Sequence, residues 1–134
     1  MKKIRILIVE DDFIVAKVIE KSLISLDYAI AGLVATGEEA IALAESEKPD
    51  LILMDIRLQG KMDGIKASEI IHATLNIPVI FLTAFSDQKM FERALATAPY
   101  GYIIKPFSAN TLATSDLPEP AMPTMATTFI WSKL

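Results

Sequence analysis

The chain of 134 residues has the length of one ordinary domain and a formal net charge of −4. Its 52% hydrophobic and 22% charged residues exclude a disordered chain and a coiled coil, and the absence of cysteine excludes disulfides and thiolate ligands. The acidic balance argues against direct nucleic-acid binding, and no apolar run approaches the roughly 20 residues of a membrane span. We therefore expect a cytoplasmic protein with no membrane insertion.

Short apolar runs alternate with segments of helical periodicity along the chain. The first run, Ile4 to Val9, is β-branched and stops at three acids, which is typical of a strand buried on both faces. A helix is then predicted over Phe13 to Leu26, capped by Asp12. Its predicted apolar stripe consists of Val15, Val18, Ile19, Leu23 and Leu26. The later predicted strands are Ala29 to Ala35, Leu51 to Met54, Pro78 to Leu82 and Gly101 to Ile104, and the later predicted helices begin at Thr36, Ile65 and Ser86.

This strict alternation of strands and helices predicts a parallel sheet with helices on both faces. In open sheets of this kind, ligands bind at the carboxyl ends of the strands, next to the point where the strand order reverses. The residues that directly follow the predicted strands are therefore the candidates for a functional site.

Polar side chains of a consistent chemistry occupy those positions. Three acids, Glu10 to Asp12, follow the first strand, and Asp55, Thr83 and Lys105 follow the third, fourth and fifth strands. Clustered carboxylates without histidine or cysteine suit magnesium or manganese. An aspartate is also a competent phosphoryl acceptor, and the hydroxyl and ammonium groups could hold phosphoryl oxygens. The residues thus indicate metal-dependent phosphorylation of an aspartate.

Five segments together carry a family resemblance: residues 6–12, 53–55, 62–64, 82–84 and 102–107. In this order and spacing they resemble the receiver domain of two-component response regulators, over residues 4 to about 112. The resemblance implies a flavodoxin-like α/β three-layer sandwich, whose five-stranded parallel sheet has the order 2-1-3-4-5. It also implies that a sensor histidine kinase donates the phosphoryl group, and that phosphorylation changes a surface that binds a downstream protein of unknown identity.

The resemblance further implies a role for each matching residue. Asp55 would be the phosphoacceptor and also a ligand of Mg²⁺ (or Mn²⁺). Asp11 would bind the metal directly, and Glu10 would bind it through a water molecule. The backbone carbonyl of Arg57 would complete the protein ligands.

The matching residues at the ends of the fourth and fifth strands would act on the phosphoryl group and report its presence. Thr83 and Lys105 would bind the phosphoryl group, Thr83 and Tyr102 would act as the switch, and the peptide bond between Lys105 and Pro106 would be cis.

The end of the chain departs from this pattern. Receivers close with a fifth helix, but Pro118, Pro120 and Pro123 are incompatible with one, so the fifth helix is doubtful. We therefore divide the chain into a receiver domain, residues 1–112, and an atypical tail, residues 113–134. Three interpretations of the tail stay open: an extended segment packed on the domain, a disordered segment or one that supports a homodimer, and a reading frame foreign to the family.

Two other functions compete with phosphorylation signalling. A degenerate receiver would serve only as a protein-binding module, although all the key site residues are present. A hydrolase of the haloacid dehalogenase type would need an acid two residues after its nucleophile, where Arg57 stands. We therefore expect no enzyme activity beyond self-phosphorylation and autodephosphorylation, in a stand-alone regulator or a fragment of a larger regulator or hybrid kinase.

Overall fold

The computed structural model describes residues 3–83, 88–97 and 101–104. Strands and helices alternate through this part of the chain, as predicted. The elements are β1 (Arg5–Val9), α1 (Phe13–Ser25), β2 (Ala29–Val34), α2 (Gly37–Glu47), β3 (Leu51–Asp55), α3 (Gly64–Leu75), β4 (Val79–Thr83), α4 (Gln88–Ala96) and β5 (Gly101–Ile104). The predicted start of the fourth helix at Ser86, the doubtful fifth helix and the tail from residue 113 lie outside the described residues.

The strands form one parallel sheet in the order β2-β1-β3-β4-β5. From β1 the chain crosses to one neighbour, β2, and then returns to the other side of β1 to form β3. The strand order therefore reverses between β1 and β3, where Val9 pairs with Met54. The residues that follow this pair, Glu10 and Asp55, lie at the edge of the sheet where ligands bind in this class of fold.

Side chains of the central strands alternate between two hydrophobic cores, one on each face of the sheet. Ile6 and Ile8 of β1 pack with Ile19 and Leu23 of α1 on one face. On the other face, α2, α3 and α4 cover alternate residues of the same strands through small and branched side chains: Ala40, Ala44, Ile65, Ala67, Ile71 and Ala94. Because β1 and β3 are buried on both faces, their backbones give the residues at their carboxyl ends a rigid support.

Three helices begin with a capped first turn. The carboxylate of Asp12 accepts from the amides of Ile14 and Val15, which confirms its predicted role as the cap of α1. Thr36 caps α2 by accepting from the amide of Glu39, and Asp63 caps α3. Each cap follows the carboxyl end of a strand, so the start of each of these helices is fixed at the edge that carries the candidate site.

The predicted apolar stripe of α1 is wrong at Val18. The buried residues of the helix are Ala16, Ile19 and Leu23, whereas 45% of Val18 is exposed. Residues at i, i+3 and i+7 share a helix face, and Val18 lies one residue, about 100°, from Ile19. None of the helices in the described part of the chain combines the length and apolar character that crossing a lipid bilayer demands.

Candidate functional site

The structure brings three carboxylates together at the switch point between β1 and β3. Glu10, Asp11 and Asp55 each place an oxygen atom within 4.8 Å of the others. Glu10 is only 3% exposed and Asp55 only 5%, while Asp11 lies at the rim and is partly exposed. Two buried acids and one accessible acid form a pocket that is open on the solvent side.

Backbone hydrogen bonds hold the two buried acids in place. The amide of Glu10 donates to the carbonyl of Val34 on β2 at 2.9 Å, so the chain continues the line of the sheet past β1. Asp55 pairs with Leu82 of β4, and the amide of Ile56 donates to the carbonyl of Leu82 at 3.3 Å. These contacts extend the sheet to the acidic pocket itself, so the carboxylates project from strand backbone rather than from a loose loop.

The amide of Arg57 orients the Asp55 side chain. It donates to Oδ1 of Asp55 at 3.3 Å, while the Arg57 side chain is exposed. This interaction accompanies the turn of the chain after β3 and restrains one oxygen of the carboxylate. Sequence reasoning selected Arg57 for its carbonyl, and for a side chain near the site, but missed its amide, for which an aspartate two residues earlier is the local signal.

Gly64, the first residue of α3, packs directly on the backbone of Asp55. A Cβ atom at this position would overlap the carbonyl oxygen of Asp55 and lie 2.9 Å from its carbonyl carbon. The amide of Gly64 donates to the carbonyl of Ile56 at 2.8 Å, which closes the loop between β3 and α3. The sequence placed Gly64 in a matching motif, but its contact with Asp55 is visible only in three dimensions.

The same loop also rests on the start of α2. Gln59 forms a parallel bridge with Thr36, the cap of α2, and Gly60 has the left-handed φ of 94° that favours glycine. The side chain of Met62 lies against Gly37, the first residue of α2. The loop that follows Asp55 is therefore supported at both ends and at its middle.

The remaining predicted residues fall at the same edge or beyond the described part of the chain. Thr83 ends β4 and its backbone pairs with Ile104, the last residue of β5, while Tyr102 pairs with Phe81. The side chains of Thr83 and Tyr102 lie outside what the structure describes, as do Lys105 and Pro106. Their predicted roles stay predictions.

The donor set fits a hard divalent cation. It consists of carboxylate oxygens, with no histidine or cysteine in the group. Such ligands suit Mg²⁺ and Mn²⁺. Three carboxylates this close repel one another, and a bound cation relieves that repulsion. Asp11 is partly exposed, and Mg²⁺ usually keeps several waters or phosphate oxygens in its shell.

Comparison with known families identifies the fold and its class of function. Residues 6–115 match the family described as response regulator receiver domain. The chain belongs to this family. It is 38% identical over 108 residues to the transcriptional regulatory protein PdtaR of Mycobacterium tuberculosis, an alignment that covers 81% of this chain and 52% of PdtaR. It is 44% identical over 88 residues to the response regulator protein VraR of Staphylococcus aureus, covering 65% of this chain and 42% of VraR.

Solved receiver domains share its structure. The signal receiver domain of a modulated diguanylate cyclase from Desulfovibrio desulfuricans has a TM-score of 0.78 and 38% identity, and the match covers 85% of this chain and 90% of that one. The receiver domain of the sensor histidine kinase PA1611 from Pseudomonas aeruginosa has a TM-score of 0.75 and 39% identity. The match covers 84% of this chain and 93% of that one, whose active-site cleft holds a magnesium ion. The predicted flavodoxin-like α/β fold with a parallel sheet is confirmed. The receiver spans about half the length of the curated relatives it matches.

Proposed function

We propose that this receiver accepts a phosphoryl group on Asp55 from the phosphohistidine of a sensor kinase, in a reaction that depends on Mg²⁺ or Mn²⁺. The observation that carries the proposal is the grouping of Glu10, Asp11 and Asp55 within 4.8 Å at the switch point of a receiver fold. Phosphoryl transfer needs positioning and charge neutralisation more than covalent chemistry from the protein. The rigid, buried setting of Asp55 supplies the positioning.

In the proposed reaction a carboxylate oxygen of Asp55 attacks the phosphorus atom. A P–O bond forms, the P–N bond of the phosphohistidine breaks, and the imidazole nitrogen takes up a proton. The Arg57 amide holds the plane of the Asp55 carboxylate, and the backbone support from β4 and α3 keeps it in line. Glu10 (through water), Asp11, Asp55 and the carbonyl of Arg57 would hold a divalent cation, which would supply charge neutralisation for the transferring oxygens.

The finer predicted roles belong to the same proposal. Thr83 and Lys105 would hold the phosphoryl oxygens, and Thr83 with Tyr102 would pass the change to a surface that binds a downstream protein. The backbone positions of Thr83 and Tyr102 at the ends of β4 and in β5 support this assignment. We also propose that the receiver domain ends near residue 112, that residues 113–134 form a separate tail, and that the domain works in the cytoplasm without direct nucleic-acid contact.

Incubation with acetyl phosphate and Mg²⁺, followed by intact-protein mass spectrometry, tests the central claim. The wild type is expected to gain the mass of one phosphoryl group, and Asp55→Asn is expected to gain none. Asp12→Asn is the matched control, because it too replaces an aspartate near the site with asparagine. Asp12 lies after β1, and the asparagine keeps the acceptor that caps α1. It is expected to be phosphorylated like the wild type.

Two results would contradict the proposal. Phosphorylation of Asp55→Asn at the wild-type level would show that another residue is the acceptor. A wild type that gains no phosphate with Mg²⁺, and whose unfolding temperature is unchanged by Mg²⁺, would favour the alternative of a receiver that acts only as a binding module.

A further inference from the structure

Helices α3 and α4, two of the three helices on their face of the sheet, border an open groove. The groove has a volume of about 410 Å³ and is lined by Ile65, Ser68, Glu69 and His72 of α3 and by Arg93, Ala96 and Thr97 at the end of α4. Ala94 is buried in the shared core, but the flanking helix surfaces leave open space between them. A polar contact between the two helices adds to the packing that sets the position of α4.

Arg93 provides such a contact. Its Nη2 atom lies 3.3 Å from Oδ2 of Asp63, with side chains 54% and 27% exposed. The other carboxylate oxygen of Asp63, Oδ1, accepts from the amide of Lys66 at 2.8 Å and caps α3. One carboxylate therefore joins α4 to the first turn of α3.

The next residue carries this link to the phosphoacceptor. Gly64 follows Asp63 and packs on the carbonyl group of Asp55, and its amide closes the loop through Ile56. Arg93 is thus connected to the backbone of Asp55 through two adjacent residues, Asp63 and Gly64. A displacement of α4 would act on Asp63 first and on the position of Asp55 next.

We infer that Arg93 is a positioning residue, which acts through Asp63 to hold the loop between β3 and α3 against Asp55 and couples α4 to the phosphorylation site. Coupling of this kind is reciprocal, so a change at Asp55 acts on α4 to the same extent. The part of the inference that concerns phosphorylation rests on the proposed function. The part that concerns the loop does not.

The first test measures the loop directly, in metal-free protein. Hydrogen exchange of the Gly64 amide, followed by NMR, reports opening of its bond to Ile56. Arg93→Gln is expected to increase the exchange rate about 1.4-fold to about fivefold, which is the range for loss of a partly exposed ion pair. Lys89→Gln is the control, because it removes the same charge from an exposed position on the same helix. It is expected to leave the rate unchanged.

A double-mutant cycle isolates the Arg93–Asp63 pair. Asp63→Asn keeps an acceptor that can cap α3 and removes the charge that faces Arg93. The double variant is expected to exchange at the rate of either single variant, because both remove the same interaction. Arg93→Lys is expected to keep slow exchange, since an ammonium can reproduce the approach of Nη2 to Oδ2. Three results would each overturn the inference. The first is additive effects of the two substitutions on the exchange rate. The others are exchange in Arg93→Lys, or in Lys89→Gln, that is as fast as in Arg93→Gln.

The second test is the initial rate of phosphorylation by acetyl phosphate. Arg93→Gln is expected to lower this rate, whereas Lys89→Gln is not. An unchanged rate beside faster exchange would overturn the coupling to Asp55. If the wild type is not phosphorylated at all, the proposed function fails, and the exchange experiment still decides the role of Arg93 in holding the loop.

Discussion

Substitution of Gly64 by alanine gives the sharpest test of how the phosphoacceptor is held. The new Cβ would overlap the carbonyl oxygen of Asp55 and lie 2.9 Å from its carbonyl carbon and 3.0 Å from Cγ of Met54. Two of these neighbours are backbone atoms of β3, a central strand that cannot rotate away. Overpacking of this kind costs about 1–3 kcal/mol, and the higher helix propensity of alanine offsets at most about 1 kcal/mol, so we expect a net loss of about 2 kcal/mol.

The same substitution is expected to slow phosphorylation. Relief of the overlap requires α3 and the end of β3 to move apart, which displaces Asp55 from the carboxylates of Glu10 and Asp11. A misplacement of about 1 Å in an active site can cost about 100-fold in rate, so we expect Gly64→Ala to be phosphorylated by acetyl phosphate at least about tenfold more slowly.

Gly37→Ala is the matched control. Gly37 is also buried and is also the first residue of a helix, after the cap Thr36. Its Cβ would lie 3.1 Å from Cγ and Sδ of Met62 and 3.2 Å from Cβ of Ala67. A flexible methionine can move, so we expect a cost below about 1 kcal/mol in urea unfolding. Equal destabilisation of the two variants, or wild-type phosphorylation of Gly64→Ala, would refute the reasoning.

Three further predictions follow from the caps, the acidic pocket and the core. Asp12→Ala is expected to lower the free energy of unfolding, measured in urea, by about 1 kcal/mol, because the carboxylate of Asp12 caps α1. Asp12→Asn keeps the acceptor and is expected to match the wild type. In EDTA, the free energy of unfolding of Asp55→Asn is expected to be about 1 kcal/mol higher than that of the wild type, because one of three crowded charges is removed. The variant is also expected to lose the rise in unfolding temperature that Mg²⁺ gives the wild type. Burial raises the pKa of Tyr28 from 10.0 to about 12. The folded state therefore holds the phenol proton more tightly than the unfolded state, and this contribution to stability is complete below pH 10.0 and is lost as the pH rises through about 12. Tyr28→Phe is expected to abolish this loss, and parallel declines of the urea midpoints of both proteins between about pH 8 and about pH 12 would contradict it.

Periodicity and strand ends predict most of the scaffold and the acidic part of the site. Runs such as Leu51 to Met54 are short, apolar and stop at an acid, and a buried parallel strand is the structure that satisfies all three properties. Once the strands are parallel, their carboxyl ends must share one edge. The grouping of Glu10, Asp11 and Asp55 therefore follows from one-dimensional information, although their separation does not.

The features that the sequence predicted wrongly or missed have a common physical origin. Each depends on how the helices and strands lie relative to one another. Val18 is apolar and near the buried face in sequence, but the rotation of α1 on the sheet leaves it exposed. The pair of Asp63 and Arg93 joins residues 30 positions apart on different helices, and no local pattern marks either as the partner of the other. Such contacts are set by how helices settle on a sheet, which periodicity does not specify.

The residues that the sequence predicts and the residues that only the structure reveals also differ in what they do for the site. The acids at the strand ends supply its chemistry, and that chemistry is available wherever parallel strands end in carboxylates. The contacts of Gly64 with Asp55 and of Asp63 with Arg93 instead decide where the loop and α4 lie relative to those acids. Contacts of the second kind reach from the site to the surface of α4. Substitution of Asp55 should therefore abolish phosphorylation, whereas substitutions at Asp63 or Arg93 should alter its rate and its coupling to α4 while the acceptor stays intact.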